Sequence, residues 1–514
     1  MRPLRFASLA AIAATFAASA ALAQPPPPAT APPAPATTPP APAAEPTKSA
    51  ALQRLEEQLS GLGRGQGGLT ADQVAHRTLV ASPTLEARKR ATEASAATVS
   101  QAKANYVPIL NLSANYTRLS DIDSPSLGSL VATNATPGVP LNPATDPLIP
   151  VELQFPIIVD NYTLAARLTV PISDYFLRVG PGVASANRAH EASRFQAAAT
   201  RNDLVYNARV AYYDWVRSQA NELIAQQALD QATGHYTDSK NSFEAGLVSK
   251  ADVLRFDTEV KGAQLRLERD KHRVELAVIR LGVLMGDRPG TRYRVGEDIF
   301  APAPELDYLP LPDVAYSEAL AKRPELKALE RTESALREQI KVARAANYPR
   351  LDAQASAMYA NPNPRYFPQS DEFRGTWEAG ATLSWTPTDI AGAQAETSVI
   401  EAQALEVAAN RRAFLENLRL DVNQVLRVAA EARFEIGVAR EAVASAEEGY
   451  RVRRELFRAG RATTVEVTDA ETVLTQARFA LVNAHVGARV ALAGLRHALG
   501  RDAGPMPGSA PQRR

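Results

Sequence analysis

Cysteine is absent from this chain of 514 residues. In an exported protein this excludes disulfide bonds, and it also excludes a lipid-modified cysteine at the start of the mature chain. Methionine is scarce as well, since only Met285, Met358 and Met506 follow Met1. A methionine relay for copper or silver therefore has no support.

Long apolar runs are missing beyond the N-terminal segment. A transmembrane helix needs about 18 or more consecutive apolar residues, and no later stretch provides them. The formal net charge is only +1, so the chain lacks the basic excess of a nucleic-acid-binding protein. Aromatic residues make up 6%, while Ala, Glu, Arg and Gln are frequent, which favours long helices.

Residues 1–23 are predicted to be a secretory signal peptide. Arg2 and Arg5 precede an apolar run that ends near Leu22, and Ala21-Leu22-Ala23 is a small-x-small cleavage site. Loss of the two arginines changes the net charge from +1 to −1. The mature chain is predicted to be periplasmic, secreted, or inserted in a membrane as β-strands.

Residues 24–68 are predicted to be a disordered tether, because 11 prolines fall within 24–46 and glycines cluster in 61–68. The pattern Gly63-x-Gly65-x-x-Gly68 does not indicate a nucleotide site, since no strand precedes it. Residues 502–514 are predicted to form a disordered tail.

One motif occurs twice, 214 residues apart, and the rest of the chain is organised around it. The first copy is Phe243-Glu-Ala-Gly246-Leu-Val-Ser249-Lys-Ala-Asp252, and the second is Phe457-Arg-Ala-Gly460-Arg-Ala-Thr463-Thr-Val-Glu466. Each copy is predicted to be the tip of a long helical hairpin, and we call them the first tip and the second tip. The matching segments predict two structural repeats, 69–286 and 313–501, joined by a connector at 287–312.

Each repeat also contains two stretches in which apolar and polar residues alternate. These predict strands near 109–119, 161–171, 350–360 and 375–386. The predicted fold is mainly α, with two helix–strand–strand–helix repeats. Four strands cannot close a membrane pore alone, but they could do so if several copies of the chain each supplied four.

Aromatic residues mark the apolar side of these strands. Trp377 and Trp385 are eight residues apart, which corresponds to about 20 Å of height on a tilted strand. They are predicted to lie at the two membrane interfaces, together with Tyr116, Tyr162 and Tyr359. The alternative is a soluble hairpin that packs the two tryptophans against a helix.

Acidic residues follow each tip. Ser249 with Asp252, and Thr463 with Glu466, fit capping boxes at helix N-termini. If the helices surround a pore, Asp469 and also Glu466 and Asp252 are predicted to contribute carboxylates to a ring at its mouth, where they would favour cations. The alternative for Asp469 is an ordinary solvated acid.

No enzyme site, metal site or cofactor site is predicted. The six histidines form no ligand pair, and the chain has no nucleophile elbow, metal-hydrolase motif or phosphate-binding loop.

The signal peptide, the two repeats and the Phe-x-x-Gly-x-x-Ser/Thr-x-x-acid tips together resemble the TolC-like outer-membrane efflux proteins over residues 69–501. The resemblance implies a homotrimer with one 12-stranded barrel in the outer-membrane lipid and a long α-helical tunnel in the periplasm. It implies a passive exit duct for efflux or type I secretion, driven by an inner-membrane pump of the RND, ABC or MFS type.

The resemblance also implies that the tips bind the helical hairpin of a periplasmic adaptor protein. The implied contact residues are Gly246, Leu247, Val248, Ser249, Gly460, Arg461, Ala462 and Thr463. It assigns the aperture acids to Glu466 and Asp469. A different class, a soluble periplasmic coiled-coil adaptor or scaffold, is the alternative function.

Overall fold

The structure is a computed structural model that describes residues 67–122 and 157–504. It also describes Glu57, Gly61 and short pieces of the intervening loop, namely 129–132, 138–140, 142, 144–145 and 149–152. The predicted signal peptide, most of the predicted tether and most of the predicted tail lie outside these residues.

The elements form two repeats of the same order. The first repeat comprises α1 (Ala71–Ala81), α2 (Pro83–Ala104), β1 (Ile109–Arg118), β2 (Ser129–Ala132), β3 (Ile149–Glu152), β4 (Asp160–Val170), α3 (Gly180–Glu244) and α4 (Lys250–Met285). The second comprises α5 (Pro312–Lys322), α6 (Pro324–Arg344), β5 (Arg350–Asn361), β6 (Arg374–Ser384), α7 (Asp389–Arg458) and α8 (Thr464–Ala498). This order confirms the predicted helix–strand–strand–helix arrangement.

Two long helices, α3 and α7, set the length of the helical body formed by the described residues. They contain 65 and 70 residues, which at 1.5 Å per residue is about 100 Å each. Shorter helices cover them end to end: α1, α2 and α4 all pack on α3, while α5, α6 and α8 pack on α7. The two hairpins also contact each other, because α8 packs on α3.

The first short helix of each repeat is interrupted, although the sequence predicts one helix from about 70 to 105. The break lies at Ser82 and at the matching Arg323, both with extended backbone angles. Each is followed by a proline, whose ring excludes the preceding residue from the helical conformation. Both prolines then begin the next helix, where a missing N–H has no cost.

The largest core cluster among the described residues lies at mid-length of α3. Trp215 and Tyr212 are fully buried there against α1, α4 and α8. Leu69 is attached beside this cluster: its amide donates to the carbonyl of Arg294 at 2.8 Å, and its carbonyl accepts from the amide of Gly296 at 2.8 Å. A side chain on Gly68 would collide with the backbone of Val295.

Strands β1, β4, β5 and β6 form one antiparallel sheet in the order β1-β4-β5-β6. Their register places Leu112, Leu164, Tyr359 and Trp377 on one face, which we call the apolar face. Asn111, Arg167, Ser356 and Glu378 align in one row across the opposite face, which we call the polar face. Every residue of β1 is exposed.

One feature differs from the sequence prediction. The segment near 119–160 is predicted as a loop, but β2 and β3 pair within it as an antiparallel ladder. No helix among the described residues is long and apolar enough to cross a membrane.

Candidate functional site: the two hairpin tips and the strand sheet

The two tips have the same backbone geometry. Gly246 and Gly460 adopt φ angles of 74° and 69°, in the left-handed region that glycine tolerates without strain. The amide of Leu247 donates to the carbonyl of Ser242 at 2.9 Å, and the amide of Arg461 donates to the carbonyl of Leu456 at 2.8 Å. Each long helix therefore ends in a Schellman-type cap, and the chain turns directly into the next helix.

Both predicted capping boxes are formed. Ser249 accepts from the amide of Asp252 at 3.2 Å, and the amide of Ser249 donates to the Asp252 carboxylate at 3.1 Å. Thr463 and Glu466 make the same pair of bonds, at 3.4 and 2.8 Å. These bonds satisfy amides that the first turn of a helix leaves without partners.

Each capping acid has a further partner, and the two partners differ. Asp252 also accepts from the hydroxyl of Thr464, which belongs to the second tip. Glu466 instead accepts from Arg453 of its own hairpin at 2.7 Å. The Thr464 hydroxyl, followed by Ser249, lowers the pKa of Asp252. The Thr463 amide, followed by Arg453, lowers the pKa of Glu466. Both carboxylates therefore accept hydrogen bonds that stabilise the tips.

Asp469 is the third predicted aperture acid, and its environment is different. It lies on α8 after the capping box and is exposed. No hydrogen bond or ion pair involves its side chain among the described residues. Its carboxylate is available to solvent or to an ion.

The predicted adaptor contacts come together at one end of the molecule. A cleft of about 970 Å³ lies between the tips, and seven of the eight predicted contact residues line it. Arg461 is the one that does not, although it is exposed on the same tip. Leu247 is 79% exposed, so its apolar side chain is accessible to a partner.

A buried polar cluster behind the tips was missed by sequence reasoning. His235 of α3 bonds the hydroxyl of Tyr450 of α7 at 2.7 Å, and Glu471 of α8 lies 3.6 Å from the same ring nitrogen. Burial, followed by the nearby Glu259, raises the pKa of Glu471 to about 7. Burial also lowers the pKa of His235. The only sequence signal was the repeated tyrosine pair Tyr236 and Tyr450, which does not identify the partners of Tyr450.

Four of the predicted interface aromatics, Trp377, Tyr116, Tyr162 and Tyr359, lie in the register of the apolar face, and Trp385 directly follows the last residue of β6. Trp377 and Trp385 are exposed, as are Tyr116, Tyr162 and Tyr359. The ring of Tyr162 lies 5.0 Å from that of Tyr116, and Phe373 lies 5.2 Å from Tyr359. Sequence reasoning missed Phe373, which lies just before β6 and continues this row of aromatic rings.

Among the described residues, no group of three or more His, Asp or Glu side chains could hold a metal ion.

Comparison with known proteins agrees with this architecture. The family model "Outer membrane efflux protein" matches residues 74–287 and 315–501. The probable efflux pump outer membrane protein TtgC of Pseudomonas putida is 23% identical over 346 residues, which cover 67% of this chain and 70% of TtgC. The antibiotic efflux pump outer membrane protein ArpC of Pseudomonas putida has the same identity and coverage.

Solved structures share the fold. The outer membrane protein VceC of Vibrio cholerae superimposes with a TM-score of 0.66 at 19% identity, covering 88% of this chain and 99% of VceC. The MtrE outer membrane channel of Neisseria gonorrhoeae, in its open state, gives a TM-score of 0.65 at 16% identity, covering 84% of this chain and 88% of MtrE.

This chain, with its paired long hairpins and four-stranded sheet, therefore shares its fold with these two outer-membrane proteins. The chain belongs to the outer membrane efflux protein family. Its predicted role, an exit duct of the outer membrane, is thereby confirmed.

Proposed function

We propose that three copies of the chain join their four-stranded sheets into one 12-stranded barrel, continued by an α-helical tunnel through the periplasm. The observation that carries this proposal is that the sheet of a single chain does not close on itself and has two free edges. Among the residues that the structure describes, β1 and β6 each pair on one side only, and β1 is exposed along its whole length. Unpaired strand edges are not tolerated in lipid, and closure by neighbouring copies removes them.

The helices support the same assembly. Large apolar side chains remain exposed along them in one chain: Leu254, Leu265, Leu276, Ile279 and Val283 on α4, and Leu405, Leu420, Phe434 and Val438 on α7. A soluble monomer rarely exposes so many. In the trimer, α4 of one copy and α7 of the next would cover each other.

At the periplasmic end, the proposed partner is the helical hairpin of an adaptor protein, which enters the cleft between the tips. The exposed Leu247 and the small residues of both tips suit close helix packing. The adaptor would connect the duct to an inner-membrane pump of the RND, ABC or MFS type. The duct itself moves substrates passively, and residues 1–23 direct its export.

At the other end, the apolar face would meet lipid, and Trp377, Trp385 and the three tyrosines would lie at the lipid headgroups. The polar face would then line the lumen.

The mass of the detergent-solubilised protein, measured by native mass spectrometry, tests the assembly. We expect a species of three chains recovered from the outer-membrane fraction. A monomer that is soluble without detergent would contradict the proposal and favour the adaptor or scaffold class.

Single-channel recordings test the aperture. Asp469→Asn should weaken cation selectivity and block by divalent ions, because Asp469 is exposed and its side chain forms no ion pair with any residue that the structure describes. Glu466→Gln is the comparison variant, since Glu466 is held by Thr463 and Arg453. Unchanged selectivity in Asp469→Asn would show that Asp469 is an ordinary solvated acid.

A further inference from the structure

The loop between β5 and β6, residues 362–373, lies at the end of the sheet that is remote from the helices. The strand ends joined to helices are those at Ile109, Val170, Arg350 and Ser384. The opposite ends, including Asn361 and Arg374, therefore face away from the helical body. In the proposed assembly this is the outer exit of the duct.

This loop does not extend away from the sheet but folds back over its polar face. Asn363 is buried, and its side-chain amide donates to the carbonyl of Arg374 at 2.9 Å and to the hydroxyl of Thr376 at 3.3 Å. Its side-chain oxygen accepts from the amide of Arg365 at 3.0 Å. Asn363 thus fixes the direction in which Arg365 leaves the loop.

The side chain of Arg365 extends from the loop over the interior of β6. Its guanidinium forms an ion pair with Glu378 and donates to the carbonyl of Trp377 at 3.2 Å. Glu378 lies four residues inside β6, which corresponds to about 13 Å from the strand end. The hydroxyl of Ser356 holds the same carboxylate at 2.9 Å.

A second arginine shares this level of the sheet. In the ladder register, Arg167 of β4 pairs with Ser356 of β5, which pairs with Glu378 of β6. Arg167 is exposed, and no ion pair involves it among the described residues. Each chain therefore places two guanidinium groups and one carboxylate at one height on the polar face, a net charge of +1 per chain.

We propose that Arg167 and Arg365 form a ring of positive charge inside the outer end of the duct, which selects for anionic solutes at the exit. Glu378 is the positioning residue, because it holds Arg365 over the polar face. The inference rests on the proposed function, since only a closed barrel turns the polar face into a lumen. Rings of arginine or lysine in a pore favour anions.

The test is the reversal potential of the purified trimer in a planar bilayer under a KCl gradient. Arg167→Gln should shift it toward cation selectivity. Arg365→Gln should shift it further in the same direction, because it removes one positive charge and also exposes the charge of Glu378. Glu378→Gln should shift it the opposite way, toward anions.

Two further variants test whether a shift in reversal potential comes from the lost charge or from disturbed folding. Arg365→Glu combined with Glu378→Arg restores an ion pair at the same place and should return the reversal potential toward the wild-type value. Arg118→Gln is the matched control: Arg118 lies at the outer end of β1, but in the register of the apolar face, where it pairs with Asp160. This control should leave the reversal potential unchanged.

The proposed ring would be overturned if the reversal potential stayed at the wild-type value in Arg167→Gln, Arg365→Gln and Glu378→Gln. Shifts of the same sign in Arg365→Gln and Glu378→Gln would overturn it as well. A wild-type protein that forms no channels would contradict the barrel itself, so the two failures are distinguishable.

Discussion

The two hairpin tips have the same backbone but different side chains. Both use a glycine with positive φ, the same carbonyl-capping bonds and the same capping box. Yet residues 237–252 carry two lysines and three acids, a net charge of −1, while the matching residues 451–466 carry five arginines and two acids, a net charge of +3. The repeat retains what the turn requires of the backbone, whereas the exposed positions differ.

The hydrogen-bond partners of the two capping acids also differ between the tips. Asp252 joins the first tip to the second through Thr464, whereas Glu466 is held within its own hairpin by Arg453. The first tip therefore depends on its neighbour, and the second does not. Four sets of variants compare the two hairpins, beginning with the largest expected effect.

The largest effect concerns Glu471, a buried acid of the second hairpin. Its side chain is 13% exposed, and its pKa is about 7 in the folded state against 4.5 for the free side chain. Because the raised pKa makes the folded state bind the proton more tightly, stability falls as pH rises from about 4.5 to about 7. At pH 8, Glu471→Gln should stabilise the tip region by about 3 kcal/mol relative to wild type.

Hydrogen exchange of the first turns of α8, measured from pH 5 to pH 8 and corrected for intrinsic rates, checks this expectation. The charged or titratable groups that face Glu471 are His235, Glu259, Arg478 and Tyr450, and Arg454 acts on both His235 and Tyr450. Asp257→Asn, at the matching position of the first hairpin, is the control. A wild-type profile that does not depend on pH would contradict the prediction.

The next largest effect concerns the bond between the tips. Thr464→Val keeps the shape of a buried residue but removes the donor to Asp252, so about 2 kcal/mol of local stability should be lost at the first tip. Thr468→Val is the control, because the Thr468 hydroxyl donates only to the backbone of its own helix. Equal protection of residues 244–252 in both variants would show that Asp252 does not depend on the second tip.

Substitution of the two turn glycines should have equal effects. A Cβ at Gly246 or Gly460 would meet no neighbouring atom, so the cost is that of the left-handed backbone alone. Gly246→Ala and Gly460→Ala should each destabilise the adjoining helix ends by about 1 kcal/mol, measured by hydrogen exchange. Clearly unequal losses would mean that the tips differ in backbone as well as in side chains.

The smallest effect concerns Arg453. Its ion pair with Glu466 is largely exposed and screened by solvent, so Arg453→Gln should cause only a small loss of stability, and that loss should disappear at high salt. Arg461→Gln, which removes an exposed arginine that has no ion pair among the described residues, should have no effect on the stability of the tip. A loss in Arg453→Gln that persists at high salt would indicate a more buried role.

The features that follow from local sequence could be predicted, and those that depend on the relative position of distant segments could not. The capping boxes of Ser249 and Thr463, and the alternation along β1 and β6, require only a few neighbouring residues. The bond from Thr464 to Asp252 depends on how the two hairpins are aligned. The periodicity of neighbouring residues does not determine that alignment. The return of Arg365 onto Glu378 likewise depends on the path of a whole loop. The break at Pro83 is also a local feature, because a proline excludes the residue before it from the helical conformation.

The attachment of Leu69 to Arg294 and Gly296 determines where upstream chain joins the molecule. The close contact of Gly68 with Val295 leaves no space for a side chain at that point. Because this junction lies beside the buried Trp215, halfway along α3, it is distant from both the tips and the sheet. A tag fused directly to Gly67 would therefore join the helical body at mid-length, away from both the tips and the sheet.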